Sequence, residues 1–165
     1  MIKLFLCDCD GVLTNATYLV LPTGEKAKTF NTRDWFGMSR LHKSGCRIGI
    51  VSGDDSESVT HQARRAAAWA DLFQGVSNKL EFVTQTYIRP HGQFEWDEVA
   101  YIGDDNNDIR LLSAVGYPAC PADAVGEVQE AIWILPDGLV LDCKGGEGCV
   151  REFADLIYRY NGSEV

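Results

Sequence analysis

Short apolar runs and amphipathic stretches alternate along the 165-residue chain. The first run, Leu4–Cys7, has no polar position and ends at Asp8-Cys9-Asp10-Gly11. A run of that kind reads as a strand buried on both faces of a parallel sheet. Residues 17–31 read as two short strands around Pro22-Thr23-Gly24, a hairpin signal. Asp34 to Ser44 reads as a helix, with Met38 and Leu41 at helical spacing and Gly45 as a stop. Further strands are expected at Arg47–Val51, Ala70–Gln74, Glu98–Ile102 and Tyr117–Cys120. Between and after them, helices are expected at Ser56–Trp69, Ser77–Ile88, Asn107–Val115 and Ala124–Ala131. Ile132–Leu135 reads as a small strand, 144–148 as a Gly-rich loop, and Cys149–Tyr160 as a last amphipathic helix. This alternation predicts an α/β fold: a doubly wound, parallel, Rossmann-like sheet with helices on both faces. The length suits one domain over residues 1–165, and no repeat or linker interrupts it.

Composition narrows the partners. A net charge of −9 opposes nucleic acid and anionic membrane surfaces. No apolar stretch approaches the roughly 20 residues that span a bilayer. Met1-Ile2-Lys3 leads straight into a strand, so no signal peptide is visible and a cytoplasmic protein is expected. The six cysteines, 7, 9, 46, 120, 143 and 149, form no Cys-x-x-Cys pair and mostly lie in apolar runs. Reduced thiols in or near the core fit better than a zinc site or disulfides, with Cys9 packed away from the acids beside it. Trp69, Trp96 and Trp133 read as packing residues.

Candidate chemistry sits where strands end. Asp8 and Asp10 follow the first strand, Ser52 the second, and Asp104 and Asp105 the fourth, while Lys79 opens the helix after the third. Parallel strands bring their C-terminal ends to one edge, so these groups should converge. Paired carboxylates require a counter-cation or a shared proton, most simply a hard divalent ion with oxygen ligands, and Gly11 lets the backbone turn beside it. Ser52 and Lys79 add donors for an anion next to the cation. A cation, an anion site, a carboxylate nucleophile and a second acid together suit phosphoryl transfer.

The stretches DCDGVLT, IVSGD, SNK and GDDNND, in that order, resemble the haloacid dehalogenase superfamily of aspartate-nucleophile phosphatases. The resemblance implies Asp8 as nucleophile, forming an aspartyl-phosphate. It implies Asp10 as general acid, then base. Mg²⁺ would be held by Asp8, the Asp10 carbonyl and Asp104, with Asp105 or Asp108 in support. Ser52, Gly53 and Lys79 would hold the phosphoryl group.

Segments 17–51 and 53–78 leave no room for a cap domain. FNTRD, FQGVSNKL, AYIGDDNND and KGGEGCVREF extend the resemblance to capless 3-deoxy-octulosonate 8-phosphate phosphatases and the related nonulosonate 9-phosphate phosphatases. This closer resemblance implies a homotetramer, with the hairpin flap packing between subunits and the Gly-rich tail (Gly145, Gly146, Gly148) reaching a neighbour's site. The substrate would be a phosphorylated 2-keto-3-deoxy sugar acid. Asp54, where octulosonate enzymes carry Arg, with Arg64 or Arg65 one helix on, looks more like the nonulosonate branch. Trp35, Arg33, Asp34, Arg65 and Arg151 are the further candidates for substrate or intersubunit contact. Two rivals are a phospho-accepting receiver domain and a degenerate oligomerisation module. The position of DxD before GDD argues against the first, and the intact motifs argue against the second.

Overall fold

The computed structural model describes residues 1–63, 68–89 and 93–162. Six parallel strands form the main sheet: β1 (Leu4–Cys7), β4 (Arg47–Val51), β5 (Ala70–Phe73), β6 (Val99–Ile102), β7 (Tyr117–Cys120) and β8 (Leu139–Val140). Their order is β5-β4-β1-β6-β7-β8, and β2 (Leu19–Val20) pairs with β3 (Lys26–Ala27) in a separate antiparallel hairpin. The chain leaves β1 in one direction for β4 and β5, then returns to β6 on its other side. That reversal opens a crevice at the carboxyl ends of β1 and β6.

β1 is central because all four of its side chains are buried. Pleating sends Phe5 and Cys7 to one face, where they pack with Met38 and Leu41 of α1 (Thr32–Lys43) and Phe153 and Ile157 of α6 (Cys149–Tyr160). Leu4 and Leu6 face the other way, toward Val83 of α3 (Lys79–Val83), Leu111 and Leu112 of α4 (Ile109–Leu112), and Val128 and Ile132 of α5 (Gly126–Ile134). A seven-residue α2 (Glu57–Ala63) follows β4, and α3 runs on into a wider turn, Thr84–Ile88. The termini meet where Asn161 Oδ1 accepts from Ile2 N and its Nδ2 donates to Ile2 O, both at 2.8 Å.

The expected doubly wound sheet and hairpin are present. Ile132–Leu135 is not a strand. Residues 126–134 are helical, with Val128 and Ile132 one turn apart on the buried face, and the edge strand comes later, at Leu139–Val140. A four-residue apolar run has the same pattern in either conformation, and packing decides between them. Trp133, expected to pack, is 71% exposed at the end of α5.

Asp34 is buried in the first turn of α1, yet it caps another helix: its Oδ1 accepts from Arg151 N, in the first turn of α6, at 2.8 Å. Its Oδ2 is buried with no hydrogen-bond partner. Burial pushes this carboxyl up to about 6, against the pull of the Arg151 amide. A raised carboxyl costs the folded state when ionised, so this contribution to stability falls as pH rises from about 4 to about 6. Asp34→Asn has no such charge. Relative to wild type, the variant should gain about 1–3 kcal/mol of unfolding free energy between pH 4 and pH 7. Paired urea titrations at the two pH values check this; a pH-independent difference would contradict it.

Candidate active site

The centre of the site is an ion-paired chain beneath the crevice. Asn78 caps α3, accepting from Glu81 N, so that Lys79 begins the helix at the rim of the sheet. Its Nζ lies 2.8 Å from Asp8 Oδ2 and donates to Asp108 Oδ1 at 2.6 Å and Tyr101 Oη at 3.3 Å. The Lys79 side chain is 0% exposed. Tyr101, buried in β6, donates its hydroxyl to the same Asp108 Oδ1 at 2.6 Å. Asp108 Oδ2 accepts from Asp104 N at 3.0 Å and Asp105 N at 3.3 Å, which shapes the loop after β6. Asp108 is fully buried, whereas Asp105 is exposed.

β1 delivers Asp8 to the crevice, and the backbone then turns: Val12 N and Thr14 N both donate to Cys9 O. The turn, not the strand pleat, brings Asp8 and Asp10 to the same pocket. Asp8 Oδ1 accepts from Cys9 N at 2.6 Å, and Cys9 itself points into the core as expected. Gly11 has φ +76, and a Cβ there would lie 1.8 Å from Asp104 Oδ2. Only glycine lets this turn pass so close to the acid from β6.

A cavity of about 270 Å³ opens above, lined by Asp8, Asp10, Ala16, Ser52, Gly53, Asp54, Asp104, Asp105 and Asn107. Ser52 Oγ accepts from Asp54 N at 3.1 Å, which leaves its O–H free to donate to a ligand. Lys79 lies under the cavity floor, against Asp8, rather than on its lining. Two residues that the motif order did not single out complete the site. One is Tyr101. The other is Lys28, just past β3, whose Nζ donates to both oxygens of Asp10 at 2.8 Å and also to Asp54 Oδ2. The signals were a hydroxyl inside an aliphatic strand run and two lysines at alternating hairpin positions, Lys26 and Lys28.

Several candidates lie elsewhere. Arg33 is exposed and absent from the cavity lining. Trp35 packs beside Phe30. Arg151 Nε pairs with Asp155 at 2.7 Å. Arg64 and Arg65 lie outside the described residues. The Gly-rich segment packs on its own chain: Gly146 N donates to Val12 O at 2.9 Å, and a Cβ on Gly145 would meet Gly11 O at 2.0 Å. It braces the 11–15 turn from behind.

The electrostatics favour a cation. Ligand atoms of Asp8, Asp104 and Asp108 lie within 4.8 Å of one another, and Asp104 Oδ1 is buried without a partner. Burial raises Asp8 to about 7 despite the pull of Lys79. Burial, then the charges of Asp8, Asp108 and Asp105, raises Asp104 to about 8. Hard carboxylate oxygens with an orphaned lone pair are the donor set of a hard divalent ion, so the residues present fit one.

No protein-family model matches the chain. It is 33% identical over 156 residues to the 3-deoxy-D-manno-octulosonate 8-phosphate phosphatase of Yersinia pestis, spanning 94% of this chain and 79% of that one. It is 30% identical over 160 residues to N-acylneuraminate cytidylyltransferase B of Danio rerio, spanning 94% of this chain and 36% of that longer protein. A solved structure of the octulosonate phosphatase of Moraxella catarrhalis, in complex with magnesium, phosphate and the KDO molecule, superposes with TM-score 0.87 at 27% identity. That match covers 98% of this chain and 89% of that one. Similarity to phosphatases along nearly the entire chain sets aside the receiver and degenerate-module readings. Among the described residues, no helix is long and apolar enough to cross a membrane.

Raised carboxyls cost the metal-free fold more as pH rises, because they ionise against their surroundings, and a divalent cation binds the ionised forms. Saturating Mg²⁺ should therefore raise the melting midpoint at pH 8 by about 5 °C or more, and by less at pH 5.5. Asp104→Asn should remove the response. An equal shift at both pH values in differential scanning calorimetry would contradict the assignment.

Proposed function

The chain belongs to the 3-deoxy-D-manno-octulosonate 8-phosphate phosphatase family of haloacid dehalogenase-type phosphatases, and on that premise we propose a magnesium-dependent phosphomonoesterase acting on a phosphorylated 2-keto-3-deoxy sugar acid through an aspartyl-phosphate. The carrying observation is one carboxylate, Asp8, held at the cavity floor by the buried Lys79, with Asp10 and Ser52 on the same cavity wall. Asp8 attacks phosphorus and forms the new P–O bond as the ester P–O bond breaks. Asp10, entering the cycle protonated, gives its proton to the departing alkoxide; as the carboxylate so formed it then takes one from the water that attacks phosphorus and frees Asp8. Ser52 donates its O–H to a phosphoryl oxygen, with Gly53 beside it at the cavity wall. Lys79 screens Asp8 from below, lowering the repulsion between a carboxylate and a phosphate ester. Asp8, Asp104 and the Asp10 carbonyl would hold Mg²⁺, with Asp108 behind them; when bound it supplies charge screening for nucleophile and phosphoryl group alike.

3-Deoxy-D-manno-octulosonate 8-phosphate is the first substrate of choice, given the phosphatase relatives. A nonulosonate 9-phosphate is the second reading. It is favoured by the acid Asp54 on the cavity wall and by the similarity to an N-acylneuraminate enzyme. Exposed Tyr18, Leu19 and Val20 on the hairpin, with exposed Phe36 on α1, support assembly into a homotetramer in which a neighbour covers the open cavity.

Phosphate release should be fastest with one of these two sugar-acid phosphates, slower with hexose 6-phosphates, and lost on chelation of Mg²⁺. Asp8→Asn should abolish it. Asp10→Asn should lower turnover roughly 100-fold or more while leaving the Mg²⁺-induced melting shift intact. Undiminished release by Asp10→Asn would remove the acid–base assignment, and a hexose phosphate preferred to both sugar acids would remove the substrate class. A monomer with full activity by light scattering would remove the neighbour's lid.

A further inference from the structure

Lys28 carries a buried side chain from the hairpin into the site. Around it, Leu19, Val20, Lys26 and Ala27 are exposed, while the Lys28 side chain is 3% exposed. Its ammonium lies between two acids of the cavity lining, Asp10 and Asp54. There it donates to both Asp10 oxygens at 2.8 Å and to Asp54 Oδ2. Thr14 Oγ1 adds a second donor to Asp10 Oδ1 at 3.2 Å, and Ser56 Oγ a second donor to Asp54 Oδ2 at 2.5 Å. Asp10 therefore receives three contacts from two donors on one carboxylate, and its rotamer is set from outside the motif that carries it. Burial works against the charge on Lys28, but the two carboxylates outweigh that cost and hold it protonated.

We infer that Lys28 is a positioning residue for the phosphatase reaction: it aims the Asp10 carboxyl at the leaving-group oxygen and ties the hairpin to the cavity mouth through Asp54. This rests on the acid–base role given to Asp10 above. The geometry explains why one lysine contacts two acids. A lysine held by Asp10 alone would leave the pair free to swing together. Asp54, itself fixed by Ser56, gives the ammonium a second anchor on the opposite wall. Lys28 forms no bond to substrate and carries no proton in the reaction; it decides where Asp10 delivers one.

The experiment compares two leaving groups. A sugar phosphate expels a basic alkoxide and depends on a well-aimed acid; p-nitrophenyl phosphate expels a stable phenolate and depends on it little. The measurement is kcat/KM, which reports events through departure of the leaving group. Lys28→Met should lower kcat/KM for the best sugar phosphate by roughly 10- to 100-fold and for p-nitrophenyl phosphate by less than about threefold. Lys28→Arg should restore part of the loss. A melting midpoint close to wild type shows that the hairpin's disposition has not cost the fold. Asp10→Asn, run alongside, should show the same selectivity with a larger loss. Equal losses on both substrates for Lys28→Met, or none on either, would overturn the inference while a selective Asp10→Asn leaves the acid–base reading standing. An Asp10→Asn variant that keeps wild-type kcat/KM on the sugar phosphate would overturn both.

Discussion

A buried ammonium between two carboxylates organises this molecule. Lys79, Asp8 and Asp108 are each within a few per cent of complete burial, in surroundings where a lone ion costs several kcal/mol. None of them is tolerable without the others. Tyr101 and the Asp104 and Asp105 amides take up the remaining lone pairs on Asp108, so the network is hydrogen-bonded at nearly every position. The satisfied polar chain fixes the ends of β1 and β6 and the start of α3 relative to one another. Those three elements define the crevice that a doubly wound sheet leaves at its reversal point. Fold and chemistry thus share one set of contacts.

The same network is incomplete on its outer side. Asp104 presents a buried oxygen with no donor, and its carboxyl and that of Asp8 resist ionisation. In a chain of net charge −9, a cleft of acids would repel a phosphate ester. A cation in the cleft reverses that field and turns the repulsive groups into ligands. Lys79 compensates Asp8 from below, Lys28 compensates Asp10 and Asp54 from the side, and the uncompensated remainder points at the cavity. Both acids are held by a lysine, but Asp8 is nearly buried while the Asp10 side chain is 38% exposed.

Most of the sheet was legible because its strands are short, apolar and bounded by Gly and Asp. Leu4–Cys7, Arg47–Val51 and Tyr117–Cys120 fall where the pattern places them. The convergence of Asp8, Asp10, Ser52, Gly53 and Asp104 on one cavity was legible for the same reason, since parallel strands align their carboxyl ends. What escaped depends on tertiary choice. Ile132–Leu135 carries the same apolar signature as helix or strand, and its packing against the sheet selected helix. Asp34, a candidate for substrate or intersubunit contact, instead caps α6 more than a hundred residues away, while Asn31 caps its own helix. Lys28 and Tyr101 are ordinary residues of a hairpin and a strand until the fold brings carboxylates to them. No local pattern distinguishes a lysine that will be buried from one that stays in water.

The glycines at 145 and 146 carry a temporal implication. Every acid of the cleft has been synthesised by residue 108, but the turn after β1 leans on backbone that comes only at 145–146. A growing polypeptide on the ribosome therefore holds the reactive groups well before it holds the buttress that shapes them. The turn is braced only once that later backbone lies against it, next to α6, whose apolar face closes the layer over Phe5 and Cys7. A side chain at 145 would drive that backbone off Gly11 O, so the two segments close only over a glycine.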